Sequence, residues 1–320
     1  MTSPAGNPTI QSSPSTGIVN GLLLMALATL LAPLIDIFAK LATDTTSPTM
    51  ITAARFLFQA IFMLPIIVWN GSWRLFSWRM SFYHAIRAAI ITLSMICFVA
   101  TLAVMPVADA IAIFFVEPII LTILASIFLK ETIGWRRYTA CGVGFVGALI
   151  VIRPSFEEVG LVSLLPIITA ICVAIFALIT RALAPRENPW AMQFQMSLWG
   201  IPICALLLLV GDWSGVGFLA PSTPDVTIFT WLIGVGFFAA ISGILAVYAY
   251  RLAPASVLAP MQYFEIVSAT LFGWLVFQDF PDKVKWLGIA IIIGSGLYII
   301  WRERRVASKP LTAAQASVAP

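Results

Sequence analysis

Long apolar runs alternate with short polar breaks along almost the whole chain. The runs cover 18–42, 48–69, 82–104, 108–129, 136–152, 160–183, 190–210, 228–250, 255–277 and 284–301. A helix needs roughly 20 apolar residues to cross the hydrocarbon of a bilayer. The pattern therefore predicts an all-α membrane protein with ten transmembrane helices. The breaks hold turn formers: Asp44 to Pro48, Asn70 to Ser72, Glu131 to Arg137, Arg153 to Gly160, Pro185 to Pro189, Pro221 to Asp225 and Phe280 to Lys285. Those at 105–108 and 251–255 are minimal, and each contains a proline (Pro106, Pro254) able to end a helix.

Composition removes the alternative of a soluble fold. Hydrophobic residues make up 61% of the chain, charged residues 10%, and mean hydropathy is +1.00. A soluble domain is about half apolar and a quarter charged, and its surface needs polar cover that this chain lacks. Ten spans leave no room for a soluble domain of useful size. Residues 1–17 are rich in Ser, Thr, Pro and Gly and hold no Lys or Arg. They lack the basic start of a secretory signal and read as a disordered cytoplasmic leader, with 303–320 as a cytoplasmic tail.

The net charge of +4 reports topology rather than a nucleic-acid partner. With the N-terminus inside, the cytoplasmic breaks hold Arg74, Arg79, Lys130, Arg136, Arg137, Arg181, Arg186, Arg251, Arg302, Arg304, Arg305 and Lys309. The outer ones hold Arg153, Lys283 and Lys285. Positive charge collects on the cytoplasmic side of membrane proteins, so both termini are expected in the cytoplasm.

The two halves echo each other. A shift of 148 residues carries Pro106 onto Pro254, Glu117 onto Glu265 and Glu131 onto Asp279. Each half holds five spans, an odd number, so the halves at 18–153 and 160–302 are expected to insert as two inverted five-helix repeats. That plan recurs among secondary transporters.

Ionisable groups inside spans are costly, by roughly 2.5–3.5 kcal/mol each on insertion scales, and mark functional candidates. Glu117 and Glu265 fall near mid-span at matched positions beside Pro118 and Pro260. A carboxylate there can exchange a proton or hydrogen-bond a substrate. The structural alternative is a cap on polar backbone between the halves. Gln262 and Tyr263 add hydrogen-bonding groups within a turn of Glu265. Asp36 and Lys40 are four apart and share a helix face, as a local ion pair or as part of the path. Arg55, a turn inside its span, pairs with Asp36 or Asp109, or attracts an anionic substrate. Asp109 is expected at the outer rim.

Other motifs carry less. Gly142, Gly144 and Gly147 spell Gly-x-Gly-x-x-Gly, but inside an apolar span, where small residues serve close helix packing. His84 sits at the cytoplasmic end of its span beside Arg87. Cys97, Cys141, Cys172 and Cys204 lie singly in apolar runs, without the spacing of a metal site or disulfide framework. No cofactor or metal is expected, and no catalytic set is visible.

The chain resembles the drug/metabolite transporter superfamily, EamA-type, over about 18–302. The resemblance rests on Ala-Pro-Leu-Ile-Asp-Ile-Phe-Ala-Lys at 32–40, Glu-Pro-Ile-Ile at 117–120, Leu-Lys-Glu at 129–131 and Ala-Pro-Met-Gln-Tyr-Phe-Glu at 259–265. Phe-Gln-Asp-Phe-Pro-Asp at 277–282 and the glycine-bearing 288–296 complete it. The last third is similar to a bacterial branch that includes importers of riboflavin and of S-adenosylmethionine. The resemblance implies a central cavity between repeats, alternating access and a bacterial inner membrane. Riboflavin import is the expected activity, with S-adenosylmethionine uptake or export of amino acids or drugs as alternatives. A membrane subunit without transport activity, or an intramembrane enzyme, is the reading from another class. The resemblance leaves oligomeric state open.

Overall fold

A computed structural model describes residues 14–43, 45–71, 78–102, 113–131, 134–152, 164–217, 219–277 and 283–307. Among them regular structure is helical throughout. The helices are α1 (Pro14–Ala42), α2 (Pro48–Trp69), α3 (Trp78–Leu102), α4 (Glu117–Phe128), α5 (Trp135–Ile152), α6 (Leu165–Leu183), α7 (Pro189–Ser214), α8 (Val226–Leu252), α9 (Ala255–Leu258), α10 (Phe264–Phe277) and α11 (Lys283–Ala307). A 3₁₀ segment at Ala259–Tyr263 joins α9 to α10. Among the described residues six helices are long and apolar enough to cross a membrane: 17–42, 48–69, 80–98, 165–183, 189–214 and 226–252.

Local sequence sets the helix ends. Ser47 accepts from the Met50 amide at 3.3 Å, and Pro48 fills the first position of α2, where no amide partner is needed. Asn188 caps α7 by accepting from the Trp190 and Ala191 amides at 2.9 and 3.4 Å. Gly215 ends α7 in the left-handed conformation, φ +70°.

The ninth span is not one continuous α-helix. Pro260 has no amide to continue the α-helical ladder, and the chain passes through the 3₁₀ segment before α10 resumes. The span expected from 108 is interrupted as well: Ile113 and Phe114 are helical, a turn follows at Phe115 and Val116, and α4 begins at Glu117, while residues 108–112 lie outside the described residues. Helix α1 begins at Pro14, within the expected leader, and α11 continues to Ala307, within the expected cytoplasmic tail.

Each half contributes to every major packing. Helix α1 packs on α8 and on α10, and α2 packs on both α7 and α8. Helix α3 packs on α6 and α7, α4 on α6, and α5 on α11. Of the glycine motif, Gly144 and Gly147 serve close packing. A Cβ on Gly144 would stand 2.5 Å from the Tyr263 ring, and one on Gly147 would stand 2.9 Å from Ile292. Gly142 meets nothing within 4 Å, so the packing role does not extend to it.

Candidate functional site

The break in the ninth span builds the site. Glu117 is the first residue of α4, and Glu265 is the second of α10. Both were expected at mid-helix. Each instead sits in the first turn of a helical segment, directly after an interruption of the α-helical ladder. Pro118 and Pro260 explain the placement, since each tolerates a helix start and resists a helix interior. The Met261 carbonyl accepts from the Phe264 amide and, at 3.2 Å, from Thr29 Oγ1 of α1. The broken segment is thereby tied to a neighbouring helix.

Glu117 is buried, and its Oε1 accepts from Gln262 Nε2 at 3.4 Å. Gln262 Oε1 is buried without a partner. Glu265 lies within electrostatic range of Asp36 on α1 and of Glu117. Arg55 on α2 is the positive charge acting on Asp36. Four ionisable groups from α1, α2, α4 and α10 thus share one field.

Asp36 is exposed, and Arg55 and Glu265 are partly buried. Several polar atoms of α2 and α7 are buried and unpartnered: Arg55 Nε and both amide atoms of Gln59 on α2, and Gln195 Nε2 on α7. Gln59 is 1% exposed and lies one turn beyond Arg55 on the same face of α2. Buried polar atoms without partners are rare in folded proteins and call for an explanation such as a ligand.

Two expected site residues fall elsewhere. Tyr263 points into an apolar cluster with Phe115, Ile266, Ile289 and Ile292, its ring 6.0 Å from that of Phe115. Its hydroxyl is buried without a hydrogen-bond partner. Lys40 is exposed near the end of α1. Asp109 lies outside the described residues.

A second polar cluster joins α3, α6 and α7. Arg87 is 0% exposed. Its Nε donates to Thr180 Oγ1 at 3.1 Å and its Nη2 to Gln193 Oε1 at 3.3 Å. Its guanidinium lies 4.8 Å above the Phe176 ring centre. His84 Nδ1 is 3.3 Å from Arg87 Nη1, and His84 Nε2 is 2.9 Å from Glu187 Oε2. Spacing along the chain does not reveal this network, because its members come from three separate spans. Charge inside an apolar run was the available signal at Arg87.

A third cluster surrounds Glu131, between α4 and α5. Its carboxylate accepts from the amides of Ala255 and Ser256, each at 3.1 Å, and from Ser256 Oγ at 2.7 Å. Arg181 of α6 stands 3.5 Å from it and donates to the Tyr250 carbonyl. Among the described residues no cluster of His, Cys, Asp and Glu is suited to a metal ion.

Known proteins share this plan. The family model described as EamA-like transporter family matches residues 19–153 and again 160–301. A riboflavin transporter of Brucella anthropi is 31% identical over 264 residues, 82% of this chain and 91% of that protein. A riboflavin transporter of Rhizobium johnstonii is 29% identical over 302 residues, 93% of this chain and 96% of that protein. An S-adenosylmethionine uptake transporter of Rickettsia bellii is 28% identical over 276 residues, covering 86% and 91%. A protein of known crystal structure, 15% identical, superimposes with a TM-score of 0.73 over 90% of this chain and 99% of its own, which shows a shared fold.

Proposed function

Because this chain belongs to the EamA-like transporter family, we propose that it is a secondary transporter that imports riboflavin across a bacterial inner membrane by alternating access. The observation that carries the substrate is the 31% identity to a riboflavin transporter over most of both chains. The site is compatible with that solute. Riboflavin is flat and neutral, with donors and acceptors along its ring edge and ribityl chain. Gln59, Gln195, Gln262 and Arg55 hold buried unpartnered atoms that offer both kinds of partner, and Glu117, Glu265 and Asp36 supply further acceptors.

The architecture we propose is two inverted repeats, 18–153 and 160–302, with both termini cytoplasmic. The double match of the family model supports it. So does the packing, which is preserved when the halves are exchanged. Helix α1 on α8 then corresponds to α6 on α3, α2 on α8 to α7 on α3, and α1 on α10 to α6 on α4. The pairs α2–α7 and α5–α11 map onto themselves. Rocking of one repeat against the other exposes the midplane site to each side in turn.

S-adenosylmethionine is the second reading. Three acidic groups around one arginine favour a cation, and a 28% identical relative carries that name. Uptake of labelled riboflavin by a riboflavin auxotroph lacking its own importer separates the two. Growth at low riboflavin with saturable uptake, competed by other flavins, is expected. Failure of a membrane-inserted protein to rescue growth refutes riboflavin and directs the assay to S-adenosylmethionine.

A further inference from the structure

Glu131 stands apart from the group of Asp36, Arg55, Glu117 and Glu265, yet its carboxylate accepts three hydrogen bonds and faces an arginine. It sits in the short turn between α4 and α5, directly after Lys130, whose φ of +53° is unusual for a residue with a side chain. That left-handed step turns the chain so that the Glu131 carboxylate meets the first turn of α9 in the opposite half. There it holds the Ala255 and Ser256 amides and the Ser256 hydroxyl. Its remaining charge faces Arg181, which also ties down the last turn of α8 at the Tyr250 carbonyl. One carboxylate therefore joins α4, α6, α8 and α9. Four residues beyond Ser256 the chain breaks at Pro260 and leads into Gln262 and Glu265.

We propose that Glu131 is a positioning residue that clamps the cytoplasmic gate. Its contacts close the path from the candidate site to the cytoplasm, and their rupture frees α9 and the broken segment for opening inward. The inference rests on the transporter reading and on the topology with both termini inside, under which the α4–α5 turn, the end of α6 and the start of α9 share the cytoplasmic side. The neighbouring contacts Arg87–Gln193 and His84–Glu187 would lie on that side as well. Beneath the clamp, Ala177, Val257, Leu258 and Met261 pack in one apolar cluster, which blocks water.

The test reports the side on which the protein opens. Ala177→Cys is placed in a chain whose four native cysteines are alanine, and its reaction with a membrane-impermeant maleimide is followed in inside-out and right-side-out vesicles. Glu131→Gln is expected to speed labelling about tenfold from the cytoplasmic side alone, a shift typical of coupled conformational states. Glu131→Gln with Arg181→Met is expected to match the single variant, because both act through one contact. General destabilisation would speed labelling from both faces, and that result overturns the inference, as does an unchanged rate. If the reporter chain does not insert, hydrogen exchange on the otherwise native protein decides. Glu131→Gln must then quicken the amides of 255–263 while leaving α2 and α7 unchanged; protection retained at 255–263 overturns the clamp. Wild-type protein that fails to move riboflavin refutes the substrate reading without touching the sided labelling.

Discussion

Gln262 donates a hydrogen bond to Glu117 across 3.4 Å, and this contact joins the broken segment of the second half to the first turn of α4 in the first. Glu117 and Glu265 occupy matched positions 148 residues apart, each at the start of a helix. Replacing either by Gln removes the ionisable carboxyl and keeps the shape. A hydrogen bond is worth about 0.5–1.5 kcal/mol, so riboflavin uptake is expected to fall up to about tenfold. Surface labelling should show unchanged protein in the membrane. Wild-type uptake by well-expressed Glu265→Gln removes Glu265 from the mechanism.

Arg55 is the positive charge acting on Asp36. Arg55→Met leaves Asp36 without that counter-charge. The variant is expected to lose thermal stability in detergent. Adding Asp36→Asn should restore much of that loss, because the two sites share one interaction. Additive losses in the double variant would show that the charges act independently.

Gly142 and Gly144 lie in one motif and predict opposite results. Gly144→Ala drives a methyl group into the Tyr263 ring, and overpacking of this kind costs about 1–3 kcal/mol. Gly142→Ala places its methyl in open space and should leave the thermal midpoint where it is. Tyr263→Leu should relieve Gly144→Ala. Equal midpoints for the two alanine variants would contradict the packing described for α5.

Proton coupling through the buried carboxylates gives a direct energetic expectation. A protonophore should abolish accumulation of riboflavin against its gradient, while exchange of labelled for unlabelled riboflavin continues. Accumulation that persists with the proton gradient collapsed excludes protons as the driving ion.

Much of the fold was legible because lipid imposes a simple rule: each span must be an apolar run. The ten runs, their breaks and the match between Glu117 and Glu265 are all visible along the chain. The ninth run hid its break, since Pro260 stands among residues as apolar as any helix, and hydropathy does not register a change of hydrogen-bond ladder. Tyr263 is close to Glu265 along the chain, but the 3₁₀ segment sends its ring into the apolar cluster, where its hydroxyl is buried without a partner. Gln59 and Gln195 carry no charge and do not stand out in a hydropathy pattern, although Gln59 follows Arg55 by one helical turn. The partners of Arg87 and Glu131 lie far away in sequence, and only packing brings them together.

The setting of Arg87 has a consequence for how the chain is made. Its partners Thr180 and Gln193 follow it by 93 and 106 residues. At about 5–20 residues per second, α3 leaves the ribosome roughly 5–20 seconds before either exists. During that interval His84, on the same helix, is the one polar partner named above that its guanidinium can reach. A first half made alone therefore carries Arg87 without the partners that α6 and α7 bring, and is expected to be degraded faster than the whole chain.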